Sequence, residues 1–234
     1  MRFVIFLFFF LCFSCETKNN KVIGTISKSG MVSSAHPLAS EVGINILKKG
    51  GNVFDAAVAV HFALSVVYPN AGNLGGGGFV VYRLNNGDVG SLDFREKAPK
   101  LSFRNMYLKD KDGELIVDYN KSKLGHLASG VPGSVDGMVN LHERFGSLSW
   151  STLLDPSISL AKNGFNITKK QSVSLNKVKS SFQKVNDKPI PFTKDSKWKE
   201  NDVLIQYDLG NTLSRIKTDK RNGFYSGITA ELIL

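Results

Sequence analysis

Apolar positions follow helical spacing early in the chain and give way to extended runs later. In the stretch Ala35–Asn52, Leu38, Val42, Ile46 and Leu47 form one stripe, which predicts a helix. Pro37 suits its first turn, Lys48 and Lys49 suit the C-terminal end of its dipole, and Gly50-Gly51 stops it. Asp55–Pro69, "DAAVAVHFALSVVYP", is apolar almost all round, the mark of a buried helix. Asp55 is its expected N-cap and Pro69 its stop. "FVVYRL" (Phe79–Leu84) and "VGSLDF" (Val89–Phe94) read as strands joined by the Asn-Gly turn "NNGD". "MYLKDKDGELIV" is a second hairpin, turning at "KDGE". "SVDGMVNLHERFG" and "DPSISLAKNGF" read as helices closed by Gly146 and Gly164. Thr168–Asp202 is Lys-rich and weakly patterned, with a helix expected near "SLNKVKSSF". The last stretch, from Gln206, predicts one helix, a glycine turn and the start of another. Short extended pieces are expected at "KVIGTIS" and "GMVSS". Paired helices before a hairpin, with more helices after it, imply layered α and β structure.

The first fifteen residues, "MRFVIFLFFFLCFSC", are one Arg followed by an apolar run to Phe13. The run is shorter than the roughly 20 residues a bilayer span needs; a charge followed by a short apolar core is an export signal. Cys15 follows Ser14 and precedes the polar "ETKNNK". That ending is similar to a bacterial lipoprotein signal, in which the cysteine becomes the lipidated first residue; Cys12 and Phe13 are unusual neighbours for it. The expected organisation is a signal segment over 1–15, a tether and first strand over 16–29, and a partial domain over 30–234. The expected location is the periplasm or cell envelope, with a lipid anchor on Cys15 as the only membrane attachment. Plain secretion is the alternative.

Composition narrows the classes. The 234 residues are 42% hydrophobic and 21% charged, enough for a sizeable core and unlike a disordered chain. The net charge is +10, but the excess lies mostly in Lys-rich segments after Lys162. No nucleic-acid motif accompanies it, so no nucleic-acid partner is expected. Both cysteines lie in the signal segment, which excludes a disulfide framework and a cysteine metal site in the mature domain. His61 sits within the apolar helix as a ligand, a base or a core histidine. No carboxylate or second histidine lies three or four positions away, which favours the core role.

"NLGGGGF" places four glycines, Gly75–Gly78, between a helix and a strand. A phosphate loop needs the opposite order, strand then helix N-terminus, and no Lys-Ser/Thr follows. Glycine there offers φ > 0 and close backbone approach, in a tight turn delivering the chain into a strand.

Five stretches in order, "GMVSSAHPLASEVGINILKKGGNVFDAAVA", "NAGNLGGGGF", "LDFREKAP", "HLASGVPGSVDG" and "LAKNGF", with a weaker "NGFYSGITAEL", closely resemble the gamma-glutamyltransferase family, also described as glutathione hydrolases. The resemblance covers Gly30 to the end. It implies an α+β fold, the layered αββα sandwich of the N-terminal nucleophile hydrolases, incomplete in this chain. It implies an exported precursor that cleaves itself into a large and a small subunit, the small one beginning with a nucleophilic threonine whose α-amine serves as base. It implies transfer of the γ-glutamyl group of glutathione and related amides to water or an amino acid, with no metal or organic cofactor. The family's arginine in "DFRE" holds the substrate's α-carboxylate, and Arg95 occupies that position. A guanidinium matches a carboxylate fork and stays charged. The competing role is an ion pair with Asp93 or Glu96. Glu96 is expected to orient Arg95, and Gly75, Gly76, Gly77 and Gly78 to shape the floor of the site.

The departure from the family lies downstream. No "TTH"-like processing site occurs, and Thr25, Thr152, Thr168, Thr193, Thr212, Thr218 and Thr229 fall outside any matching motif. The expectation is therefore an N-terminal fragment, inactive alone, whose partner is its own small subunit. The alternatives are a related amide acylase on the same scaffold and a non-catalytic surface lipoprotein that binds without turnover.

Overall fold

The computed structural model describes residues 24–123 and 126–234. The signal segment, with Cys15, lies outside them, as does most of the tether. The chain divides after Gly30. Of the first unit, residues 24–30 are described and carry no strand, so the strand expected at "KVIGTIS" is not seen over its described part. The second unit opens with an irregular run from Met31 to Ser34 that pairs with no strand among the described residues.

Helix α1 spans Pro37–Lys48 and α2 spans Val53–Val67. The α1 stripe is as expected at Val42 and Ile46, both buried, while Leu38 and Leu47 are partly covered. Gly43 shares that face because α2 lies against it: a Cβ there would meet Val60 Cγ2 at 2.6 Å. His36 caps α1, its Nδ1 accepting from Leu38 N at 3.2 Å. The α2 cap corrects the sequence reading. Asn52 is the N-cap, accepting from Phe54 N and Asp55 N, and Asp55 is the third helical residue, closing a capping box onto Asn52 N at 2.9 Å. Asp55 is wholly buried. Its carboxylate also accepts from Ser147 Oγ at 2.5 Å and Ser147 N at 3.1 Å, and from Leu148 N. Burial pushes its pKa up, but the Ser147 hydroxyl and the N–H groups of Asn52, Ser147 and Leu148 outweigh that and hold it below the usual carboxylate value.

Strands β1 (Phe79–Arg83) and β2 (Val89–Asp93) pair antiparallel, Val81 opposite Ser91. The turn closes at Gly87, φ +96°. One face of this hairpin packs inward: Tyr82 meets Phe54 edge-on at 5.5 Å and Phe145 at 5.0 Å. The other face is bare, with Phe79 62%, Val81 85% and Val89 74% exposed. Strands β3 (Leu108–Lys111) and β4 (Glu114–Val117) form the second expected hairpin, with Asp112 and Gly113 both at positive φ. Helix α3 (Tyr119–Lys123) and a single 3₁₀ turn (His126–Ala128) follow.

Helix α4 spans Ser134–Phe145, and α5 spans Trp150–Asn163. The second begins at Trp150, five residues before the expected start at Asp155. Ser149 caps it, and Trp150, Leu153 and Leu154 are buried in its first turns, which outweighs one missing N–H. Strand β5 (Phe165–Asn166) pairs with β6 (Val203–Leu204) across the long α6 (Lys169–Val185). That helix is longer than its pattern indicated. Thr168 and Gln171 form a capping box, and Gln171 Nε2 reaches Val67 O at 2.7 Å. Helices α7 (Tyr207–Asp219), α8 (Asn222–Tyr225) and α9 (Gly227–Ile233) complete the chain. The core centres on α2, which packs against α1, α4 and α5. Phe62 stands edge-on to Trp150 at 5.6 Å, and Trp150 Nε1 donates to Ile216 O at 2.9 Å, tying α7 beneath α5. The described residues thus give a helical layer on one face of a hairpin whose other face has no cover.

Candidate functional site

Arg95 lies two residues beyond the end of β2, on a backbone held from two sides. On one side lies the glycine run. Gly78 O accepts from Phe94 N at 3.0 Å. A Cβ on Gly77 would stand 2.5 Å from Phe94 O, 2.8 Å from Arg95 Cα and 2.8 Å from Glu96 N. None of the four glycines has a left-handed φ. The run therefore supplies close approach and not the φ > 0 that its composition also allowed. On the other side runs Gly130–Ser134. Val131 exchanges both backbone hydrogen bonds with Lys97, at 2.8 and 3.2 Å. Gly133 N and Ser134 N both donate to Gly76 O at 2.9 Å, and a Cβ on Gly133 would fall 1.9 Å from Phe94 O. Two segments from separate motifs thus clamp the short stretch of backbone that carries Arg95.

The side chain that this stretch carries is exposed. Arg95 N donates to Asp93 Oδ1 at 2.9 Å. Among the described residues its guanidinium makes no ion pair or hydrogen bond. The pairing with Asp93 or Glu96 that competed with a ligand role is absent, and no contact orients Arg95 through Glu96. Gly75 to Gly78 line neither of the clefts beside Arg95; Gly76, Gly77 and Gly78 brace the backbone behind it.

Those two clefts share Arg95, Glu96 and Lys97 as a common wall. One, of about 660 Å³, is closed by Asp93, Asp136 and Tyr225. The other, of about 580 Å³, is closed by Ser102, Arg104 and Ser129. Tyr225 fixes the first: its hydroxyl donates to Pro132 O at 2.9 Å and accepts from Asp136 N at 3.2 Å. Burial raises its pKa, so it stays a neutral phenol. Arg221 joins Asp136 at 2.5 Å and Glu143 at 2.8 Å, fastening α8 to α4. Sequence reasoning noted "NGFYSG" only as a weak motif and missed Tyr225, Arg221 and Asp136. Nothing local signals a contact spanning about ninety residues.

His61 lies apart from this wall. Its Nε2 is buried with no hydrogen-bond partner among the described residues, it stands edge-on to Phe94 at 6.2 Å, and burial lowers its pKa to about 4. It is a neutral, mostly apolar-packed and half-buried histidine, and its unpartnered Nε2 departs from the satisfied core histidine its spacing favoured. Among the described residues no group of three His, Cys, Asp or Glu could hold a metal, and no helix is long and apolar enough to cross a membrane.

Comparison with known proteins places this geometry. The gamma-glutamyltranspeptidase family model matches residues 39–234. The glutathione hydrolase proenzyme of Pseudomonas sp. (strain A14) is 43% identical over 210 residues, which cover 89% of this chain and 36% of that protein. The glutathione hydrolase proenzyme of Escherichia coli (strain K12) is 39% identical over 209 residues, 88% of this chain and 36% of that protein. The crystal structure of Helicobacter pylori gamma-glutamyltranspeptidase superposes with a TM-score of 0.84 at 46% identity, covering 89% of this chain and 60% of that one. This chain spans about a third of the length of the curated relatives it matches. The fold is α+β, of the N-terminal nucleophile hydrolase type.

Proposed function

The chain belongs to the gamma-glutamyltranspeptidase family, and we propose that it is the N-terminal part of an exported γ-glutamyl hydrolase or transferase, with Arg95 holding the substrate's α-carboxylate. One observation carries the role: an exposed arginine with no partner among the described residues stands on backbone clamped between the glycine run and Gly133. A guanidinium on a fixed backbone binds a carboxylate bidentately and so positions the γ-carbonyl for attack. The named relatives, glutathione hydrolase proenzymes, support glutathione and related γ-glutamyl amides as substrates, with water or an amino acid as acceptor.

In this reading the nucleophile is a threonine at the head of a small subunit encoded downstream and released by self-cleavage. This chain without it is inactive. The bare face of β1–β2, with Phe79, Val81 and Val89 exposed, supports a second layer: exposed apolar surface of this kind marks an interface. The N-terminal segment exports the protein to the cell envelope, with a lipid on Cys15. Mass spectrometry of the mature N-terminus checks the anchor, and an unmodified or absent cysteine refutes it.

Arg95→Ala in the full-length gene product tests the central role. Self-cleavage should persist while KM for γ-glutamyl substrates rises roughly 30-fold or more, the loss of a charge-assisted pair. An unchanged KM refutes the assignment.

A further inference from the structure

The two clefts that meet at Arg95 differ in charge. The cleft closed by Asp93 and Asp136 has these two carboxylates and Glu96 facing Arg95 and Lys97, with Asp136 also paired to Arg221. The cleft closed by Ser102 and Ser129 has Glu96 as its single carboxylate, facing Arg95, Lys97 and Arg104. Arg104, like Arg95, is exposed and has no ion pair among the described residues. Ser102 Oγ is buried without a hydrogen-bond partner among them, and buried hydroxyls are normally satisfied. The far wall is firm: the Tyr107 hydroxyl donates to Leu127 O at 2.7 Å, tying the loop before β3 to the 3₁₀ turn. Three cations with a surplus of two, an unsatisfied donor and a braced wall describe a site waiting for an anion.

We propose that this cationic cleft is the subsite for a second carboxylate of the substrate, the C-terminal carboxylate on the leaving-group side of a γ-glutamyl peptide, held by Arg104 with Lys97. The proposal rests on the assignment of the α-carboxylate to Arg95. Because Arg95 forms part of both walls, a substrate whose α-carboxylate it holds can lay its remaining length into either cleft. A γ-glutamyl tripeptide spans about 10 Å when extended, and a cleft of about 580 Å³ accommodates the two residues beyond the scissile amide. The charge surplus selects the cleft. The carboxylate-rich one, balanced by Arg95, Lys97 and the Arg221 that pairs Asp136, has no surplus of positive charge for a second carboxylate, and the cationic one attracts it. The subsite therefore makes this protein prefer γ-glutamyl peptides with a free C-terminus over γ-glutamyl amines and anilides.

The test uses the full-length gene product and two substrates: glutathione, which carries the second carboxylate, and γ-glutamyl-p-nitroanilide, which does not. Arg104→Ala should raise the ratio of the two KM values, glutathione over anilide, about 10-fold, with Arg104→Lys recovering part of the change. Lys97→Gln should move the ratio in the same direction by a smaller factor. Raising ionic strength on the unaltered protein should raise KM for glutathione more steeply than for the anilide. A ratio that stays within about twofold in both variants overturns the subsite, as does equal salt dependence for the two substrates. Arg95→Ala separates the two levels of inference. It raises both KM values together if the underlying reading holds, and neither if that reading fails.

Discussion

Gly77→Ala puts a methyl group where the backbone leaves no room for one. The new Cβ would lie 2.5 Å from Phe94 O, 2.8 Å from Arg95 Cα and 2.8 Å from Glu96 N. All three are main-chain atoms, so no rotamer change relieves the overlap. Carbon contacts settle at about 3.5–4.0 Å, so the end of β2 must retreat by roughly 1 Å. Overpacking of this kind costs about 1–3 kcal/mol. With a urea slope of about 2–3 kcal/mol per molar, that moves the unfolding midpoint down by roughly 0.5–1 M. The same retreat carries Arg95 with it. A displacement near 1 Å can cost as much as 100-fold; the long arginine side chain absorbs part of it, so a rise in KM of about 10-fold is expected in the full-length gene product. Gly75→Ala is the control from the same run. Its Cβ would meet only Asn73 Oδ1, at 3.8 Å, and its φ lies outside the left-handed region. It should change stability by less than about 1 kcal/mol, with KM unmoved. The paired measurement is urea denaturation followed by KM for γ-glutamyl-p-nitroanilide. Equal tolerance of the two substitutions would refute the bracing role of the glycine run.

Two further outcomes concern buried ionisable groups. Asp55→Ala strands the N–H groups of Asn52, Ser147 and Leu148 and the Ser147 hydroxyl, and should cost about 3 kcal/mol in denaturant unfolding. Because the folded pKa of Asp55 is lowered from 3.8, its contribution is present above that pH and lost as pH falls through the folded value; the variant should lack this acid-side loss, and an equal loss in both proteins would count against it. For His61, burial lowers the folded pKa from 6.5 to about 4. The unfolded chain therefore takes up the proton first as pH falls. Stability should be full above pH 6.5 and decline by on the order of 3 kcal/mol on the way to about pH 4. His61→Leu should flatten that interval, and an unchanged pH profile would refute the assignment.

What the sequence determined by itself was local. Apolar periodicity and punctuation set α1, α2, both hairpins and α4, because a helix stripe, an Asn-Gly turn and a glycine stop act within a few residues. Ordered motifs marked the family and put Arg95 forward. The weaker reading of α5 and α6 has the same origin. The expected helix at "DPSISLAKNGF" missed a first turn that the burial of Trp150, Leu153 and Leu154 sustains ahead of Pro156, and the Lys-rich surface of α6 hid a single buried stripe around Leu175. Asp55 looked like an N-cap because acidic residues favour that position, yet its partners at Ser147 and Leu148 are more than ninety positions away.

Only tertiary structure decided what the glycines do and what surrounds the arginine. Four glycines in a row permit both unusual φ angles and close approach; the packing of Phe94–Glu96 against Gly77 selects the second. Whether Arg95 was paired or free depended on side-chain directions that no spacing encodes. The charge contrast between its two clefts comes from Asp93 and Asp136 on one side and Arg104 on the other, brought to a common wall by the fold. Local sequence fixes the elements because their energetics are short-ranged. The site belongs to tertiary structure because its fields and walls are sums over segments that meet only when the chain is folded.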